Sequence, residues 1–224
     1  MSSIKFMDKL AVNFGNLAKL LDIKKTNVHK IVMRAVFLDR DGTINEEMGY
    51  INHSERLIIL PKVPEALRLL KMHGFKIILI TNQSGAAKGY FPLDFIEEIN
   101  NLLQKKLKEY NVSLDAIYYC PHHPQAVVPA LKKDCFCRKP KPGLIKRAQK
   151  DFGLELKNCY VIGDRFVDIE LAYNVGAKGI LVMTGYGKGE LKFIAPNHPL
   201  KPHFIAKDLL EAATWIIKDA NLDD

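Results

Sequence analysis

Phe37-Leu38-Asp39-Arg40-Asp41-Gly42-Thr43 ends a short apolar run, Ala35–Leu38, and reads as the mouth of a buried strand that delivers two carboxylates at alternating positions. Two carboxylates at alternating positions as a strand ends can both be aimed at one crevice if the chain leaves β geometry between them, and Gly42 permits that sharp exit. Working outward, four further runs at 76–80, 116–119, 159–162 and 179–183 are also short, apolar at consecutive positions and rich in Val, Ile, Leu or aromatics, as expected of strands covered on both faces. Amphipathic stretches fill the gaps. One is framed by Pro64 and Gly74, one runs from Pro92 to about Tyr110, one lies between Pro142 and Gly153, and two more cover about 167–175 and 206–218. Strands alternating with helices predict an α/β fold, three αβα layers around a central parallel sheet of Rossmann type.

The chain has 224 residues, 48% of them hydrophobic, enough for one substantial core. No uncharged apolar stretch approaches the roughly 20 residues of a membrane-spanning helix. The opening MSSIKFMDKL lacks the apolar centre of an export signal, so the expectation is a cytoplasmic protein with no membrane partner. Net charge is +8, and residues 1–32, with six Lys and two Asp, hold half of that excess. This segment stands outside the strand–helix alternation. It is expected to be an extension with one short helix over 14–23 and a Lys-rich stretch over 24–30, followed by a single α/β domain from 33 to 224. A nucleic-acid contact there is not favoured, because a single basic helix without repeated aromatics is a weak signal.

In a parallel α/β sheet, ligands sit beyond the carboxyl ends of the strands. After the first strand stand Asp39, Arg40 and Asp41; after the second Thr81-Asn82-Gln83-Ser84-Gly85; after the fourth Gly163-Asp164-Arg165, with Asp168 close behind. Carboxylates Asp39, Asp41 and Asp164 converging on one crevice repel one another unless a divalent cation lies among them, and an oxygen-only set suits Mg²⁺. A hydroxyl–amide pair, Thr81 and Asn82, with the cations Arg138 and Lys139, adds the means to recognise phosphate. There is no P-loop and no G-x-G-x-x-G, so kinase and dehydrogenase readings lack support.

These four segments occur in the order of the haloacid dehalogenase superfamily motifs, which the chain resembles through residues 37–43, Ile80-Thr81-Asn82, Arg138-Lys139-Pro140 and Gly163-Asp164-Arg165-Phe166-Val167-Asp168. Within the superfamily it looks most like the D-glycero-D-manno-heptose-1,7-bisphosphate 7-phosphatases. The likeness extends through Gly49-Tyr50, Tyr118-Tyr119-Cys120-Pro121-His122-His123-Pro124 and the run from Cys135 to Gly143, and covers about residues 33–217. It implies that Asp39 is the nucleophile and Asp41 the general acid and base, with Lys139 and Thr81 compensating charge on the phosphoryl group. It also implies that Mg²⁺ is held by the side chains of Asp39 and Asp164 and the backbone carbonyl of Asp41, with Asp168 behind them. Arg40, Glu47, Met48, Gly49, Tyr50, Thr81, Asn82, Gln83, Ser84, Arg138, Lys139 and Arg165 are the expected substrate contacts.

Cys120-x-His122, twelve residues, then Cys135-x-Cys137 supplies three thiolates and an imidazole, a closed tetrahedral set of the kind that holds structural Zn²⁺. The family pattern selects His122 over His123. Cys159, within an apolar strand, and Trp215 read as core. The segment from Gly42 to Pro61 is too short for a cap domain. The expected activity is removal of the 7-phosphate from a heptose bisphosphate by a monomer. Histidinol-phosphate phosphatase is the alternative within the superfamily, and an idle nucleic-acid-binding or scaffold protein the alternative outside it.

Overall fold

The computed structural model describes residues 33–221; the expected helix over 14–23 and the Lys-rich stretch over 24–30 lie outside the described residues. Six parallel strands form one sheet: β1 (Ala35–Leu38), β2 (Lys76–Asn82), β3 (Ala116–Cys120), β4 (Tyr160–Gly163), β5 (Lys178–Val182) and β6 (Phe204–Ala206), in the order β3-β2-β1-β4-β5-β6. Five helices flank it: α1 (Val63–Met72), α2 (Phe95–Glu109), α3 (Gly143–Phe152), α4 (Phe166–Val175) and α5 (Leu209–Asn221). The chain runs from β1 outward through β2 to β3, then returns to the other side of β1 for β4, β5 and β6. The reversal leaves a crevice at the carboxyl ends of β1 and β4, where Asp39 N–H donates to Ile162 O at 2.9 Å.

Alternation along the strands sorts the core into two layers. Val36, Leu38, Ile77, Leu79, Ile162 and Ile180 pack with α1, α2 and α5, whereas Ala35, Phe37, Ile78, Ile80 and Val161 pack with α3 and α4. Every residue of β1 is fully buried. Each such Leu, Ile, Val or Phe side chain contributes about 1.5–3 kcal/mol by leaving water, which keeps a charged strand end anchored from below. Cys159 is fully buried in the second layer, and Trp215 packs against the first and stacks on Phe204.

Beyond shifts of one or two residues at the ends of β2 to β5, one strand and two helix starts differ from the sequence reading. The sixth strand is not announced by the sequence, because Phe204-Ile205-Ala206 is an apolar run of only three residues, too short to mark a strand. Ala206 therefore closes a strand rather than opening the last helix, which begins at Leu209 after Asp208 accepts the Glu211 N–H at 2.9 Å. The second helix starts at Phe95, three residues beyond Pro92, because Pro92, Leu93 and Asp94 form a turn first. Among the described residues no helix is long and apolar enough to cross a membrane.

Candidate active site

At the crevice, carboxylate oxygens of Asp39, Asp164 and Asp168 lie within 4.8 Å of one another. A single cation faces two of them: Lys139 Nζ is 2.7 Å from Asp39 Oδ1 and 2.6 Å from Asp168 Oδ1. Burial alone works against a charged lysine, but Asp168 and Asp39 outweigh it and hold Lys139 above the ordinary lysine range. Asp164 is fully buried. Burial, and then the neighbouring Asp39, push its carboxyl up to about 8 despite the Tyr186 N–H donated to Oδ2 at 2.7 Å. Burial raises Asp168 as well, against the pull of Lys139. Asp164 Oδ1 and Asp168 Oδ2 are buried with no hydrogen-bond partner. Two orphaned carboxylate oxygens in a cluster short of positive charge are what a divalent cation would satisfy, so these residues fit the Mg²⁺ expected from the sequence.

The Asp41 side chain lines the same crevice but stands beside that cluster, in which Asp168, expected behind the others, takes the third place; the resemblance gave Asp41 to the metal through its backbone carbonyl. The Asp41 carboxylate instead accepts from Arg40 Nη2 at 3.0 Å, Asn45 Nδ2 at 3.0 Å and Gln83 Nε2 at 2.8 Å, which aims it at the cleft beside the cluster. The reversal requires Gly42: its φ is +79°, and a Cβ there would collide with Asp164 Oδ2 and press on Gly185 Cα.

A cleft of about 520 Å³ opens over these groups. Of the predicted residues, Asp39, Asp41, Glu47, Gly49, Tyr50, Thr81, Asn82, Ser84, Arg138, Lys139 and Arg165 line it. Arg40, Met48 and Gln83 do not. Arg40 is buried beneath Asp41 and bonds Gln83 Oε1 at 2.8 Å; Gln83 also donates to Thr81 Oγ1 at 2.9 Å; Met48 packs on the first core layer. Glu47 bends back to accept the Gly49 N–H, and burial, followed by Asp41 and Asp39, raises its carboxyl even so. Asn82 grips Lys139 by its backbone, accepting its N–H at 3.0 Å and donating to its carbonyl at 3.3 Å.

Cys120, His122, Cys135 and Cys137 converge with ligand atoms within 4.8 Å, so they can hold one metal ion. Cys120 ends β3 opposite Asn82, and Arg138 Nη1 donates to His122 O at 3.3 Å, which fastens this cluster to the segment carrying Arg138 and Lys139. None of the four cysteines of the chain is in a disulfide.

The cleft also takes in His123 and Phe166, named in the sequence only as parts of motifs, and Lys88, Glu170, Tyr186, Glu190, Ile194 and His198, which the sequence reading passed over. One signal could have found some of them. The rule that ligands follow strand ends applies equally to the fifth strand, and Thr184-Gly185-Tyr186-Gly187 stands there.

A HAD-hydrolase-like family model matches residues 136–212. The chain is 41% identical over 153 residues to the D-glycero-beta-D-manno-heptose-1,7-bisphosphate 7-phosphatase of Escherichia coli, covering 67% of this chain and 80% of that protein. It is 37% identical over 159 residues to the D-glycero-alpha-D-manno-heptose-1,7-bisphosphate 7-phosphatase of Photorhabdus laumondii, covering 70% and 87%. The crystal structure of D,D-heptose 1,7-bisphosphate phosphatase from B. bronchiseptica, complexed with magnesium and phosphate, superposes with a TM-score of 0.74 at 28% identity, over 84% of this chain and 100% of that one. Relatives this similar over most of their length place the likeness beyond the shared sheet: the chain belongs to the D-glycero-D-manno-heptose-1,7-bisphosphate 7-phosphatase family of haloacid dehalogenase-like hydrolases.

Proposed function

We propose that this chain is a Mg²⁺-dependent phosphatase that removes the 7-phosphate of D-glycero-D-manno-heptose 1,7-bisphosphate, leaving heptose 1-phosphate for synthesis of activated heptose. The observation that carries the reading is the 41% identity to a phosphatase of that name, together with Asp39, Lys139 and Asp164 drawn together at one strand-end crevice. Asp39 attacks phosphorus; as the new P–O bond forms, the bond to the sugar oxygen breaks, and Asp41 gives that oxygen its proton. Asp41 then takes a proton from water, whose oxygen attacks the aspartyl-phosphate, releasing inorganic phosphate and restoring Asp39. Lys139 and the Thr81 hydroxyl hold oxygens of the transferring group, and the Arg40–Gln83 pair keeps Asp41 aimed through both events. Bound by Asp39, the Asp41 carbonyl and Asp164, Mg²⁺ would supply positive charge that lets two anions meet.

The Cys120, His122, Cys135 and Cys137 set would hold a structural Zn²⁺ that keeps Arg138 and Lys139 at the cleft. Arg138, Arg165, Asn82, Ser84 and Glu47 to Tyr50 would receive the sugar and its second phosphate. We take residues 33–224 as a catalytic domain that acts as a monomer, with residues 1–32 as an extension, because the four motifs and the Cys/His set all fall between Phe37 and Asp168. A sugar-phosphate substrate of the kind the relatives' names give supports a cytoplasmic location.

The test is phosphate release with Mg²⁺ from the α and β anomers of heptose 1,7-bisphosphate and from histidinol phosphate, with Asp39→Asn as control. Preference for one heptose anomer, lost in the control, is the expected result. Preference for histidinol phosphate would keep the chemistry and refute the substrate. No hydrolysis of any ester would refute both.

A further inference from the structure

The segment 184–190, which follows β5, is tied to the active site at three points. Thr184 Oγ1 donates to Gly42 O at 2.5 Å, Tyr186 N–H to Asp164 Oδ2 at 2.7 Å, and Glu190 Oε2 accepts the Phe166 N–H at 2.8 Å. The first two hold backbone around Asp164. The third has a different consequence, because the other oxygen, Glu190 Oε1, lies 3.6 Å from Arg165 Nε, while the Arg165 guanidinium rests 5.0 Å from the centre of the Tyr186 ring.

Resting on the reading that Arg165 receives substrate, we infer that Glu190 is a positioning residue for Arg165, fixing the direction in which its guanidinium crosses the cleft. Glu190 is 13% exposed and Arg165 54%. A half-exposed arginine samples many rotamers, and an ion pair in water holds it only weakly. Here the acceptor itself does not move, because the Phe166 N–H, one of the unpaired donors at the start of α4, fixes the Glu190 carboxylate where the helix end favours negative charge. The Tyr186 ring face, 5.0 Å from the guanidinium, is its second contact. Fixed carboxylate and ring together leave the guanidinium few directions. Lys139 needs no such device: it is buried between Asp39 and Asp168.

Glu190→Gln separates this role from two simpler ones. Glutamine retains an oxygen for the Phe166 N–H, so the helix start keeps its partner, but it loses the charge that draws Arg165. If Glu190 were only a negative charge in the cleft, its removal would tighten binding of an anionic ester; if it aims Arg165, binding weakens. The experiment measures KM and kcat for heptose 1,7-bisphosphate with Glu190→Gln, Arg165→Ala and both. It also measures the Kd of the intact ester for the same three in an Asp39→Asn background, where turnover does not interfere. The expected result is a KM and Kd about three- to tenfold higher in Glu190→Gln, with kcat within about twofold and the melting temperature unchanged. No further rise is expected when Glu190→Gln is added to Arg165→Ala. A lower or unchanged Kd in Glu190→Gln, or effects of the two substitutions that add in full, would overturn the inference and leave the phosphatase reading intact. A Kd unaffected by Arg165→Ala would overturn it too. Absence of phosphate release from the unaltered chain, with the non-additive loss of binding still present, would instead refute the phosphatase reading and leave the clamp.

Discussion

Among the described residues there are two clusters of metal-capable side chains, and they are assembled in opposite ways. Cys120, His122, Cys135 and Cys137 come from one β3 end and the loop after it, so closing one short stretch of chain brings all four together. Asp39, Asp164 and Asp168 come from the ends of β1 and β4 and the first turn of α4, and only the folded sheet makes them neighbours. With a metal bound, the thiol cluster would stabilise its own loop. The carboxylate cluster instead opposes the fold, with Asp164 pushed up to about 8 and two oxygens left without partners. The first cluster would hold structure in place; the second would use structure already held to concentrate charge where an anion must be attacked.

The sharpest way to break this contrast is Asp39→Asn. It should lower kcat by about three orders of magnitude or more while leaving the melting temperature unchanged or higher, since one repelling charge is gone; phosphate release and a thermal melt measure both. A melting temperature that falls with activity would mean that the carboxylates support the fold after all. Next in size is the pH dependence of Mg²⁺ binding. Asp164 is raised from 3.8 to about 8 in the metal-free fold, so its contribution to metal-free stability is full below 3.8 and lost as pH rises through 8. Because the cation needs the ionised form, apparent Mg²⁺ affinity should climb by up to about tenfold per pH unit and level off above 8. Titration calorimetry at three pH values checks the slope, and a flat profile would show Asp164 already ionised at neutral pH.

The thiol cluster should respond in stability first. Cys135→Ser, or a strong chelator, should lower the melting temperature by roughly 5–10 °C and activity by about tenfold, because Arg138 loses the loop that holds it. Full activity at an unchanged melting temperature would remove the structural role. Smaller still, Gln83→Met should reduce kcat about threefold to tenfold with KM nearly constant, as Asp41 loses one of its donors. The smallest effect is expected on removing residues 1–32, with kcat/KM changed by less than about twofold; a larger loss in steady-state assays would bring that segment into the catalytic unit.

Much of this was legible in the residues. Consecutive apolar positions announced β1 to β5, because strands buried on both faces exclude polar side chains, and proline and glycine marked the helix limits where φ is restricted or freed. The strand β6 was not legible: three residues at a sheet edge, one of them exposed, are specified by pairing with Ile180, Leu181 and Val182 rather than by their own composition. In the site, the meeting of Asp39, Thr81, Lys139 and Asp164 at one crevice could be anticipated from their places, directly after apolar runs or beside a Cys-x-Cys pair. The behaviour of Arg40 was not. An arginine between two aspartates reads as a substrate contact, yet its side chain turns inward to Asp41, Gln83 and Asn100.

The sequence by itself determined the α/β alternation, the strand-end carboxylates, the Cys/His set and the family, because each depends on residues near one another in the chain or on a motif with fixed order. Only the tertiary structure decided that Asp168 rather than the Asp41 side chain completes the carboxylate cluster, that Arg40 and Gln83 stand behind Asp41, and that Tyr186 and Glu190 reach Asp164, Phe166 and Arg165. Those outcomes depend on which way a side chain turns at a crowded strand end, and that choice is set by neighbours contributed from other strands, through burial and hydrogen bonds that local sequence does not contain.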